Sequence, residues 1–151
     1  MKNLIPTLAL LISVLSNAFA TTTTPTKPTS ETATHKLTVT ITQVNKRTGK
    51  LYVGLATDEA TFKGTSAETK AVDVPPSGEI TVTFDNLPEG RYAVRVYQDL
   101  NDNKKMDFSG QMPTEPFGFS NVAMLMGPPN FDQSSFDLNE SKAVKIIMME
   151  M

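Results

Sequence analysis

The chain has 151 residues, a formal net charge of −2 and no cysteine. That length suggests one domain, and the missing cysteine excludes disulfide staples, thiolate metal centres and thiolate catalysis. The slightly acidic balance excludes a surface built for nucleic acid or anionic lipid.

The first twenty residues read as an export signal. Lys2 supplies the positive start, Leu4 to Leu15 a short apolar stretch, and Ala18-Phe19-Ala20 the small residues a signal peptidase reads, so cleavage is expected near Ala20. A bilayer span needs about 20 apolar residues, more than this stretch offers. No membrane span is expected, and the product is placed outside the cytoplasm, secreted or periplasmic. Residues 21–35, rich in Thr with Pro25 and Pro28, read as a flexible linker. The folded domain is expected over residues 36–151, and the chain after Ala20 carries thirteen basic against sixteen acidic residues.

Along that domain the dominant period is two. Leu37, Val39 and Ile41 alternate with threonines, and Leu51, Val53 and Leu55 alternate with Tyr52 and Gly54. Glu59 to Thr69 reads as a polar loop anchored by Phe62, followed by a short strand candidate over 70–74. Ile80, Val82 and Phe84 form a further strand, and Tyr92, Val94 and Val96 another across the turn at 86–90. Residues 99–133, with many prolines and glycines, read as a long ordered loop before closing strands at 134–138 and 143–149. About seven short strands without a helical period predict an all-β antiparallel β-sandwich.

The segment from Thr81 to Val94 contains Leu87-Pro88-Glu89-Gly90-Arg91-Tyr92. It resembles the strand–turn–strand signature of transthyretin-like, carboxypeptidase-regulatory-like sandwich modules, in which Pro presets one turn dihedral, Gly takes a positive one and Tyr packs across the sheet end. The continuation, Val96 to Asp107, then Pro113-Thr114-Glu115-Pro116-Phe117-Gly118-Phe119-Ser120-Asn121 and Gly127-Pro128-Pro129-Asn130-Phe131, is similar to a bacterial secreted family, domain of unknown function 2141. The resemblance implies export and a sandwich fold and brings no activity. It also implies two departures: Gln98 stands where a histidine is common, and Lys104 where a glycine is common.

One constellation carries chemistry. Asp99, Asn101, Asn103 and Asp107 match the first, third, fifth and ninth positions of a calcium loop, with the backbone carbonyl of Lys105 at the seventh. Ca²⁺ wants six to eight oxygens, and alternate residues of a curled loop point theirs inward. The sixth position holds Lys104 in place of Gly, and the twelfth holds Gly110 in place of an acid, which leaves Glu115 as a distant substitute. The plain alternative is a hairpin-end loop rich in Asp and Asn because both tolerate turns. Calcium is the one cofactor these residues suggest.

Phe117, Phe119 and Phe131, with Glu115, could line a ligand groove or pin the long loop to the sandwich. Met112, Met124 and Met126 lie in the same region; thioethers are soft copper ligands, yet Met is also a common gap-filler and His35 is the only histidine. With His35 alone, no Ser/His/Asp set is available, and without Trp a sugar-stacking platform is poorly supplied. The expectation is a non-catalytic binding or structural module of the cell envelope, with an envelope protein or small ligand as partner. The alternative is a metal-assisted hydrolase or enzyme accessory using Asp99, Asp107 and Glu115. A third option is pairing with a partner through an exposed sheet edge.

Overall fold

The computed structural model describes residues 33–151; the export signal and most of the linker lie outside them. The first strand, β1 (Thr34–Thr42), opens two residues before the domain start expected at 36. His35 is therefore part of a ladder, paired with Leu87, rather than part of a tether.

The predicted sandwich is the architecture found. In one sheet β1 is flanked by β4 (Ile80–Pro88) and β10 (Lys142–Ile147). The other runs β3 (Glu68–Asp73), β2 (Lys50–Ala56), β5 (Gly90–Asp99) and β8 (Phe117–Phe119), with β9 (Phe136–Leu138) on the first residues of β5. The strand pairs are antiparallel except β1–β10, which run parallel.

Period-two patterning built the core. Leu37, Val39 and Ile41 of β1, Leu51 and Val53 of β2, Phe84 of β4 and Val94 of β5 are all fully buried between the sheets. Register locks them together: Val39 sits between Val82 and Val144, and Val53 faces Val96. A one-residue slip would turn each set outward, so burial itself specifies the pairing.

The sheets are joined along both sides. On one, Phe117 of β8 exchanges backbone hydrogen bonds with Met149, at 3.0 and 2.7 Å. Gly118 fits there because a Cβ would lie 2.7 Å from both Ile146 Cγ2 and the Ile147 carbonyl oxygen. On the other, Lys70 Nζ of β3 donates to the Thr83 carbonyl of β4 at 2.5 Å and sits 5.0 Å from the Phe84 ring centre.

The Leu87–Tyr92 turn departs in one detail. Asn86 takes the positive φ, 58°, and Gly90 does not. Gly90 instead leaves room for Tyr92, whose ring is 3.4 Å from where its Cβ would be and whose hydroxyl donates to the Pro88 carbonyl at 3.0 Å.

The segment read as a loop around Phe62 holds a short helix, α1 (Glu59–Lys63). Asp58 caps it: its carboxylate accepts the Thr61 N–H at 2.7 Å, and Thr61 Oγ1 accepts the Asp58 N–H at 3.1 Å. A second helix, α2 (Phe131–Ser134), is tied to the first where Glu59 accepts the Phe131 N–H at 2.7 Å. Phe62 and Phe131 pack with Ala56 and Ala93 into a small second core. The long loop also contains a hairpin of β6 (Phe108–Ser109) and β7 (Met112–Pro113).

Candidate functional site

Beyond β5 the chain curls inward from its last residue, Asp99, which is only 1% exposed. The Asp99 carboxylate accepts the N–H groups of Asn103 at 3.2 Å and Lys104 at 2.7 Å. Asn101 Oδ1 accepts the Asn103 N–H, and Asn103 Oδ1 accepts the Lys105 N–H, so the oxygen-bearing side chains of the i, i+2 series turn the chain by bonding their own backbone. Asp107 closes it, accepting the side-chain amides of Asn101 at 2.7 Å and Asn103 at 2.9 Å.

At the sixth position Lys104 adopts the left-handed conformation a calcium loop asks of glycine, φ 62°, and Asp102 has φ 60°. A non-glycine residue there costs about 1 kcal/mol or more. The twelfth position, Gly110, lies between β6 and β7 with φ 64° and brings no carboxylate.

The hairpin supplies one instead. Thr114 donates to the Asp107 carbonyl and Gln98 to the Pro116 carbonyl, which carries Glu115 back beside the end of β5. Glu115 is 5% exposed and accepts the N–H groups of Leu100 at 2.8 Å and Asp107 at 3.2 Å. Among the described residues Asp99, Asp107 and Glu115 enter no salt bridge, and no three His, Cys, Asp or Glu side chains form a ready-made metal centre. The oxygens gather, but they are met by the loop's own N–H donors. Of Lys105, the structure fixes the N–H donation to Asn103; a role for its carbonyl rests on the sequence position.

The turn before β2 braces this loop. Gly49, at φ 76°, sits where a Cβ would be 2.1 Å from the Asp99 carbonyl oxygen. Gln98 is fully buried and donates to the carbonyls of Lys46 at 2.6 Å and Thr48 at 2.7 Å. Gln98 thus ties two loops together.

The aromatic candidates divide. Phe117 and Phe119 are neighbours, 5.8 Å between centroids, and line an apolar groove of about 490 Å³ with Met106, Phe108, Met112 and Met151. Phe131 lies in the second core, 6.4 Å from Phe62, on which Phe119 also packs at 5.7 Å, but Phe131 is not in the groove's lining and Glu115 belongs to the loop, so the four do not form one site.

One feature escaped the sequence reading. Tyr52 and Tyr97, opposite each other on β2 and β5, stack at 5.1 Å and 10° on the outer face of the sheet. Beside them Arg95 lies over Gly54 and donates to Ser66 and to the carbonyls of Phe62 and Gly64. Cross-strand pairing of Tyr52 with Tyr97 was the only signal, and it needs the register. Burial foremost, then Tyr52 and the carboxylates of Asp99 and Glu115, push the Tyr97 hydroxyl up to about 12. The folded state thus holds this proton where the unfolded chain, near pH 10, releases it. Its contribution to stability is present below about pH 10 and is lost as pH rises to about 12. Melting temperatures across that window should fall less steeply for Tyr97→Phe than for the native protein; parallel curves would contradict the assignment.

No curated protein and no solved structure gives a match. A family model does, over residues 39–146, a span from the middle of β1 to the penultimate residue of β10. The chain belongs to the family described as "Uncharacterized protein conserved in bacteria (DUF2141)".

Proposed function

We propose that this protein is an exported, non-catalytic binding or structural module of the cell envelope whose Asp99–Glu115 loop is stabilised by calcium. The observation that carries the calcium reading is electrostatic. Asp99 and Glu115 are almost fully buried and, with Asp107, bring negative charge into one loop without a cationic side chain paired to any of them among the described residues. Backbone N–H groups compensate such charge only in part, and a hard cation would complete the task.

The residue types suit calcium: three carboxylates, the amide oxygens of Asn101 and Asn103, and the Lys105 carbonyl, which binding would draw together, since no three acidic side chains among the described residues already surround one ion position. The sixth residue already has the backbone conformation that such a loop requires. Binding would displace the Asn101 and Asn103 amide N–H groups from Asp107. Export is supported by the sequence of residues 1–20. A structural role is favoured over hydrolysis because Asp99 and Glu115 are buried and none of the carboxylates lines the apolar groove or the Tyr52–Arg95–Tyr97 pocket.

A melting comparison tests this reading. With Kd in the ~10⁻⁴–10⁻³ M range of extracellular modules, ~10 mM Ca²⁺ adds roughly 1.4–2.7 kcal/mol over chelator by mass action. That is a rise of several degrees for a domain of this size. Mg²⁺, which dehydrates reluctantly, should give a smaller rise. Equal melting temperatures in Ca²⁺ and chelator would remove calcium from the proposal.

A further inference from the structure

Around the apolar groove the surface carries methionine where charge is the rule. Seven of the chain's eight methionines fall at or after Met106. Met112, Met124, Met126 and Met151 are 54%, 75%, 93% and 66% exposed, and Phe108 is the one other large apolar side chain exposed to this degree among the described residues. A gap-filling methionine is buried, as Met148 is at 4%. Packing therefore does not account for these four.

Three of the methionines share a groove. Met106, Met112 and Met151 line one groove with the rings of Phe108, Phe117 and Phe119, and no charged side chain is in its lining. Met124 and Met126 line the adjoining pocket, which shares Leu125 and Pro128 with the groove. A thioether is a soft, neutral donor that selects Cu(I) over hard cations. Aromatic rings beside it add attraction for a cation. With no cysteine in the chain, methionine is the only strongly soft donor available.

We infer that this groove is a binding site for a soft monovalent cation, Cu(I), held by the sulfurs of Met106, Met112 and Met151. The site is separate from the carboxylate loop in both donors and ion preference: soft sulfur here, hard oxygen there. Thioethers lose no proton on binding, so affinity is flat over a pH range in which imidazole or thiolate sites weaken.

The test uses Ag⁺, a redox-inert soft cation, on purified protein labelled at the methionine methyls, with excess Ca²⁺ present to occupy oxygen sites. One equivalent should shift the methyl resonances of Met106, Met112 and Met151 to saturation and leave Met148 in place. The same titration at about pH 5.5 should match that at about pH 7.5. Replacing Met106, Met112 and Met151 together by leucine conserves volume and apolar character and should weaken Ag⁺ binding at least tenfold with the circular dichroism spectrum unchanged. If the triple variant fails to fold, Met112→Leu alone, at a half-exposed position, should weaken binding at least threefold. In a separate sample free of silver, Cu(I) delivered without oxygen as its acetonitrile complex should shift the same three methyl resonances. Absence of shifts, shifts confined to Met124 and Met126, unweakened binding by the folded leucine variants, or failure of Cu(I) on its own to shift the same methyls would each overturn the assignment.

Discussion

Alanine at Asp99 should lower the free energy of unfolding by about 2 kcal/mol and abolish the dependence of melting on calcium. The carboxylate is 1% exposed and is the acceptor for two backbone N–H groups, from Asn103 and Lys104. Hydrogen bonds to a charged acceptor contribute roughly 1.5–3 kcal/mol, and a stranded N–H adds its own desolvation cost. Part of that cost is recovered because Asn103 and Lys104 lie at the surface and can turn to water. Asp99→Asn separates the two roles. It keeps one acceptor oxygen of the same shape but sets an NH2 donor against the other of the two N–H groups, so it should restore only part of the stability, while losing a charge that calcium requires. Chemical denaturation with and without Ca²⁺ reads both quantities. A neutral Asp99→Ala would mean that the loop is not held by this side chain at all.

Gly49→Ala should be more damaging still, about 3 kcal/mol, although the residue lies in a turn and carries no chemistry. Two costs combine there. An L residue at φ 76° is strained by about 1–2 kcal/mol, and the added Cβ would stand 2.1 Å from the Asp99 carbonyl oxygen and 3.2 Å from Leu100 Cα. Both neighbours are backbone, so relief requires moving the first residues of the loop, a rearrangement of the overpacking kind that costs roughly 1–3 kcal/mol. Gly78 is the internal control. Its φ is 88°, yet a Cβ there meets nothing within 4 Å. Gly78→Ala should therefore show the strain alone, and the difference between the variants measures how tightly the turn braces the loop. Equal destabilisation by both would show that the close approach is immaterial. Gly49→Ala should also weaken calcium stabilisation, because the displaced carbonyl belongs to the loop's first ligand.

The strands were legible because burying one face of a sheet imposes alternation, and Leu37-Val39-Ile41 or Ile80-Val82-Phe84 can satisfy it in no other period. The helix over Glu59–Lys63 was not, since five residues are too few to show a helical period and its only mark is the Asp58–Thr61 cap. The parallel β1–β10 pair was hidden for a different reason: Ala143 to Ile147 alternates equally well whichever way the neighbouring strand runs. Within the loop, the Asp and Asn residues at Asp99, Asn101 and Asn103 marked a turn, and their side-chain oxygens do accept N–H groups of the loop. The nearness of Glu115 depended on the β6–β7 hairpin returning the chain, which local spacing does not encode. That Phe119 faces both the groove with Phe117 and the second core with Phe131, through Phe62, likewise arises from tertiary packing.

An amide NMR titration with calcium examines the loop most directly, because the N–H groups of Asn103, Lys104 and Lys105 all donate to its side-chain oxygens. Their resonances should move together and saturate at a single equivalence, with a midpoint of roughly 0.1–1 mM. Resonances that stay fixed to about 10 mM Ca²⁺, or drift without saturating, would mean that no ion sits among Asp99, Asp107 and Glu115.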